Sequence, residues 1–278
     1  MNPKKVILIT GASSGIGFNT AQALARQGHR VYAAARRTEL MEPLRKDGVE
    51  IMKMDVTDSA SMAAGVEQLL AKEGRIDVLV NNAGYGYFGA IENVSDADAR
   101  RQMEVNVFGL AELTRLVLPT MRRQGSGRIV NTASIAGKIV LPFGGWYHVS
   151  KYSVEALSDA LRMELKPFGI DVVIIEPGGI KTDWGIIAAR HLKESSADTP
   201  YEQAAMTEAE LLDKAYRRNL LSQPSVVTRA ICRAVNSRRP RARYRIGRFS
   251  FISVAIHNLL PTRWWDAVMR QFVKIKLR

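Results

Sequence analysis

The sequence predicts a doubly wound α/β fold, a mostly parallel sheet of about seven strands with helices on both faces. Three observations predict it. Short Val/Ile/Leu-rich runs such as VILIT at 6–10 and DVVIIE at 171–176 lack polar alternation, as strands buried on both faces do. They alternate with longer amphipathic stretches, which makes repeated β–α units. The first run passes directly into a glycine-rich turn, TGASSGIG at 10–17. Together these describe a single Rossmann-type domain.

Taken in order, strands are expected at 5–10, 30–35, 50–54, 77–81, 128–132 and 171–176, each an apolar run of four to six residues. Between them, helical periodicity covers 15–27, 38–47 (with Pro43 inside it), 59–73, 95–123 and 147–167. After Pro177 the texture changes. Residues 183–222 are polar and helix-prone, with Ser195, Ser196 and Pro200 as breakers, and suit a substrate loop. A helix at 225–235 and a last strand at 243–246 complete a catalytic domain over 1–248. Residues 249–278 form a basic, apolar, helical tail.

The 278 residues suit one α/β domain plus a tail. With 46% hydrophobic and 24% charged residues, the composition excludes wholesale disorder, collagen and a coiled-coil rod. One cysteine, Cys232, excludes an internal disulfide framework, and it reads as a small core residue. Four scattered histidines (His29, His148, His191, His257) give no metal site. No apolar run reaches the roughly 18 residues of a spanning helix, and the N-terminal run is too short for a signal peptide, so a reducing cytoplasm is expected.

The net charge of +13 is localised. Residues 1–216 hold 25 basic against 26 acidic side chains, whereas 217–278 hold 15 against the single acid Asp266. A nucleic-acid binder would use that basic end, but its charges are interrupted by apolar residues and match no standard DNA or RNA module, so no nucleic-acid partner is expected. Trp264, Trp265, Val268, Phe272 and Ile275 recur near a helical period among Arg263, Arg270, Lys274, Lys276 and Arg278. That pattern fits peripheral contact with a membrane interface, but a helix packed over the cleft or in an oligomer contact is the favoured reading.

The turn at 10–17 has the spacing G-x-x-x-G-x-G. Glycines permit a tight turn and close backbone approach to a pyrophosphate, and a helix starting near Gly15 offers free N–H groups at its positive end. The second strand ends in Ala35-Arg36-Arg37, where an NAD site usually has an acid. Two arginines suit a 2′-phosphate, so NADP(H) is the expected cofactor. Tyr147 and Lys151 stand four residues apart on one helix face, so a lysine cation can favour a tyrosine phenolate. Ser134 follows the strand at 128–132, at the carboxyl edge of the sheet where ligands bind.

The chain resembles the short-chain dehydrogenase/reductase family. The resemblance rests on TGASSGIG at 10–17, Asp55-Val56, NNAG at 81–84, Asn106 in VNVFG, Ser134, YHVSK at 147–151 and PGGIKT at 177–182, in order and spacing. It covers residues 4–185; more narrowly it looks like the hydroxysteroid and retinol dehydrogenase branch. It implies hydride transfer between a nicotinamide and a carbonyl or alcohol carbon. Tyr147 would be the general acid or base, Lys151 would lower its pKa and bind the nicotinamide ribose, Ser134 would orient the substrate oxygen, and Asn106 would hold a relay water.

The same resemblance puts Gly11, Ser13, Ser14, Gly15, Ile16 and Gly17 under the cofactor. Arg36, Arg37, Asp55 and Val56 would lie at its adenosine end, Asn81, Asn82, Ala83 and Gly84 along the cleft, and Pro177, Gly178, Ile180 and Thr182 at the nicotinamide. It also implies a homodimer or homotetramer through the helices near 96–123 and 147–167. A bulky apolar substrate, steroid-, retinoid- or long-chain-like, is expected against 140–146 and 183–222, where Val140, Leu141, Pro142, Phe143, Trp146, Trp184, Ile186 and Ile187 are available. His148 is expected to pack and take no part in proton transfer, because it points about 100° away from Tyr147 around the helix. The alternative reading is a non-catalytic NADP-binding sensor or scaffold on the same fold.

Overall fold

A computed structural model describes residues 4–273. Seven strands form one sheet: β1 (Val6–Thr10), β2 (Arg30–Ala35), β3 (Glu50–Lys53), β4 (Val78–Asn81), β5 (Gly127–Thr132), β6 (Ile170–Pro177) and β7 (Arg243–Ile246). All pairs are parallel, in the order β3-β2-β1-β4-β5-β6-β7. The chain reverses its winding between β1 and β4, and such a switch point opens a crevice at the carboxyl ends of the strands.

One face is covered by α1 (Gly15–Arg26) and α8 (Pro224–Asn236), which close over Ile7, Ile9, Val31, Val80 and Val173. Cys232 belongs to this core. The other face carries α2 (Ser59–Glu73), α3 (Asp96–Met103) with α4 (Gly109–Gln124), and α5 (Gly145–Glu164). Its core joins Leu8, Leu79 and Ile129 to Leu69, Leu113 and Val117. Strands with no exposed face explain the unbroken apolar runs.

A buried polar chain fixes the second helical layer to the sheet. Asn81 Nδ2 donates to Thr114 Oγ1 at 3.1 Å and to Asn131 Oδ1 at 2.9 Å, and Asn131 Nδ2 donates to Ser158 Oγ at 2.9 Å. Asn81 therefore steadies the sheet and is not on the wall of the cleft. At the other end of the sheet, Arg128 donates to the carbonyls of Ala234, Val235 and Ser237, a cation set on the C-terminus of α8.

Two segments differ from the sequence expectation. Residues Thr38–Asp47 wind as a tight 3₁₀ run, because Pro43 cannot donate to a regular α-helical ladder. The stretch expected as one helix over 95–123 contains a π-turn at Glu104–Phe108 between α3 and α4. Residues 183–222 fold as a helical pair, α6 (Asp183–Ser196) and α7 (Glu202–Arg217), roofing the carboxyl edge of the sheet. The tail forms α9 (Ser250–Leu259) and α10 (Thr262–Phe272), parted by Pro261. Lys274, Ile275, Lys276 and Arg278 lie outside the described residues, as do residues 1–3.

Candidate active site

The glycine turn is shaped by contacts that allow no side chain. A Cβ on Gly11, whose φ is 65°, would lie 2.7 Å from Ala83 Cα. One on Gly17 would lie 2.3 Å from the Gly11 carbonyl oxygen. Asn82 closes the turn from β4, its Nδ2 donating to the Thr10 and Gly11 carbonyls at 3.1 and 3.2 Å. Thr10 Oγ1 accepts the N–H groups of Asn82 and Ala83 at 3.1 Å each. At the start of α1, Ser14 is the N-cap but makes no capping bond with its side chain, which leaves the first N–H groups of the helix for a ligand.

This turn floors a cavity of about 740 Å³ along the carboxyl edge of the sheet. Of the residues singled out as cofactor-binding or catalytic, all but Gly17, Asn81 and Asn106 are on its wall. Gly17 is occluded beneath Gly11 and Asn82. Arg36 and Arg37 follow β2 and border the cavity. Burial pushes the Asp55 carboxyl up, but bonds from the Thr57 N–H and hydroxyl, with Arg36 and Arg101 nearby, leave it below the usual carboxylate range.

Ser134, after β5, takes an N–H bond from Ala136 at 3.1 Å and donates to the Pro177 carbonyl at 3.3 Å, which ties the ends of β5 and β6. Tyr147 and Lys151 lie one turn apart on α5, with Lys151 Nζ 5.8 Å from the tyrosine ring centre. The Lys151 ammonium donates to the Thr132 carbonyl at 2.8 Å. Burial pushes Tyr147 up to about 12, against which the Ser134 hydroxyl works. Burial likewise pulls Lys151 down to about 8, only partly offset by Glu155. Burial thus favours the protonated phenol, and Lys151 does not offset it.

Asn106 sits in the π-turn, its Nδ2 donating to the Tyr85 carbonyl and Ser150 Oγ at 2.9 and 3.0 Å, and its Oδ1 accepting the Tyr85 N–H at 3.0 Å. A Cβ on Gly84 would lie 3.1 Å from Asn106 Oδ1 and 3.7 Å from Lys151 Nζ, so glycine lets the NNAG segment reach both. His148 is buried and structural. It donates from Nδ1 to the Ala136 carbonyl and accepts the Leu141 N–H at Nε2, which fixes a neutral ring, and burial lowers its pKa.

Aromatic rings crowd around Tyr147. Trp184 and Phe88 lie 4.9 and 5.9 Å from the Tyr147 ring. Of the apolar residues expected to line the substrate site, Leu141, Trp184 and Ile187 do so. Val140 and Ile186 are exposed, and Phe143 turns into the roof against Tyr201, its φ held at 62°. Sequence reasoning did not single out Tyr87 and Phe88, nor, within 183–222, His191, Glu208, Leu212 and Leu221, all of which are also on the wall. Residues 85–94 carry no helical or strand period, and only folding of α6 and α7 over the edge reveals the rest.

Residues 5–190 match the family described as short chain dehydrogenase, and the chain belongs to it. It is 36% identical to the 3-ketodihydrosphingosine reductase of Bacteroides thetaiotaomicron, over 99% of this chain and 100% of that one. It is 33% identical to human 17-beta-hydroxysteroid dehydrogenase type 1, over 87% of this chain and 77% of that one. A short-chain dehydrogenase from Streptomyces avermitilis superposes with a TM-score of 0.80 at 31% identity, 98% of each chain being covered. Two solved structures at 26% identity hold different cofactors. A serine dehydrogenase complexed with NADP+ has a TM-score of 0.76 (87% of this chain, 94% of that one). A Burkholderia phymatum family member in complex with NAD has a TM-score of 0.79 (92% and 93%).

Proposed function

We propose that the protein interconverts an alcohol and a carbonyl by hydride transfer with NADP(H), on a bulky apolar substrate, through Ser134, Tyr147, Lys151 and Asn106. The observation that carries this reading is the meeting of Ser134, Tyr147 and Lys151 with the glycine turn on one cavity wall. The nicotinamide cofactor supplies the hydride when bound. The chain's residues fit it: the Gly11 and Gly17 cradle excludes side chains, and the uncapped start of α1 offers N–H groups to a pyrophosphate.

Arg36 and Arg37 offer guanidinium donors to a 2′-phosphate, and Ala35 presents no carboxylate to repel it. Asp55 and Val56 serve the adenine, and Pro177, Gly178, Ile180 and Thr182 the nicotinamide end. Tyr147, kept protonated by its burial, gives its proton to the substrate oxygen during reduction. Ser134 Oγ orients that oxygen. Lys151, beside the ring, stabilises the phenolate left behind and bonds the nicotinamide ribose. Asn106, braced in the π-turn, holds a water that returns a proton past Lys151.

Apolar bulk in the substrate is supported by Phe88, Leu141, Trp184 and Ile187 on the wall, and by relatives named for a ketodihydrosphingosine and a hydroxysteroid. The exposed Phe108 in the π-turn before α4, and the exposed Val149, Tyr152 and Met163 on α5, support a homodimer or homotetramer. Among the described residues no helix is long and apolar enough to cross a membrane. A reducing, cytoplasmic setting fits the lone buried thiol of Cys232.

The test is the loss of NADPH absorbance against carbonyls graded from acetone-sized to steroid-sized. Rates that rise with apolar size support the reading. Tight NADPH binding without turnover of any carbonyl, or of the matching alcohols with NADP+, gives the chain to the sensor class instead.

A further inference from the structure

Helices α9 and α10 each turn one side to the body and leave an apolar side bare. In α10 the buried stripe is Trp265, Met269 and Val273, at four-residue spacing against the body. One position over, Trp264, Val268 and Phe272 repeat that spacing in solvent, Trp264 being 69% exposed. In α9 Ser250 and Val254 face inward, while Phe251, Ile252, Ile256 and Leu259 are exposed, Leu259 to 82%. Single exposed hydrophobics are ordinary, but a run of this size on two consecutive helices marks a binding face.

The charge around the face says what it meets. Arg243 and Arg245 are spent inward, on Glu155, Asp159 and Glu176. Arg248, Arg263 and Arg270 make no ion pair among the described residues, and Asp266 is the only acid from 217 to 278. A two-fold contact with a second copy would set this cationic face against itself, and like charges at contact distance repel. An anionic bilayer satisfies both features: the apolar stripes enter the acyl boundary and the arginines meet the headgroups.

We propose that α9 and α10 form a docking surface for an anionic lipid bilayer. The anchor of that surface borders the cavity. Trp265 Nε1 donates to the Val140 carbonyl at 3.2 Å, and Trp265 clusters with Ile139 and Leu141, the latter on the cavity wall. Docking therefore sets the cavity rim beside the lipid, where an apolar substrate would be drawn from.

The full chain is sedimented with vesicles of phosphatidylcholine alone, or of phosphatidylcholine with about one-third phosphatidylglycerol. It is expected to pellet with the anionic vesicles only, and less as salt rises from about 0.1 to 0.5 M. The double variant Leu259→Glu, Trp264→Glu, altered at two exposed sites, is expected to keep its melting temperature and lose at least about tenfold in partitioning. The proposal is overturned if the protein ignores anionic vesicles, or if a stably folded double variant binds them as well as the parent. It is equally overturned if the parent forms a dimer that the double variant dissolves while neither pellets with lipid, which gives the face to a second copy.

Discussion

Asn82 donates twice to Thr10: its side-chain amide to the Thr10 carbonyl at 3.1 Å, and its backbone N–H to Thr10 Oγ1 at 3.1 Å. The segment after β4 thereby holds the glycine turn after β1, and Asn82 spends its amide on the Thr10 and Gly11 carbonyls. Asn82→Asp replaces that donor with an acceptor aimed at two carbonyls, a loss of about 1–3 kcal/mol. A fall in melting temperature and about tenfold weaker NADPH binding by fluorescence titration are expected. Unchanged affinity would remove Asn82 from the cradle.

Tyr147→Phe removes one hydroxyl from a buried ring and leaves the packing against Trp184 and Phe88 in place. General acid catalysis contributes about 10²–10⁴-fold, and a loss of that order in kcat is expected with NADPH binding intact. Robust residual turnover in the variant would end the assignment of the proton donor.

Arg36→Asp places a carboxylate where a 2′-phosphate is expected and where NAD sites carry an acid. Two charge-assisted bonds are at stake at about 1.5–3 kcal/mol each, so the ratio of kcat/KM for NADPH over NADH is expected to fall at least about tenfold. An unchanged ratio refutes the NADP assignment at this position.

The strand positions and the cavity floor were readable from residues because both follow local rules. Buried parallel strands read as unbroken apolar runs, and Gly11, Gly15 and Gly17 sit where the chain turns or is closely approached. The π-turn at Glu104–Phe108 was not readable, since one extra residue in a helical turn scarcely alters the apolar period. Nor was the placement of the arginines. Arg128 and Arg243 look like surface charges in the sequence, yet one caps α8 and the other joins Glu155, Asp159 and Glu176 across three elements. Within 183–222, read as helix-prone, the inward face of α7 was not readable either, because it is decided by packing on α6 and not by the period of α7 alone.

Glu208 on α7 shows the consequence. It is buried on the cavity wall, Oε2 has no partner among the described residues, and burial alone pushes its carboxyl up to about 7. The folded chain therefore holds a proton there that the unfolded chain releases near the usual glutamate value. That contribution to stability is complete below the unfolded pKa and is lost as pH rises through the folded one, at most about 3 kcal/mol in total. Glu208→Gln keeps the shape and cannot ionise. Between about pH 5 and 8 the melting temperature of the parent is expected to fall relative to that of the variant, with the variant the more stable at the alkaline end. Parallel melting curves across this range would mean that Glu208 is ionised and partnered in solution.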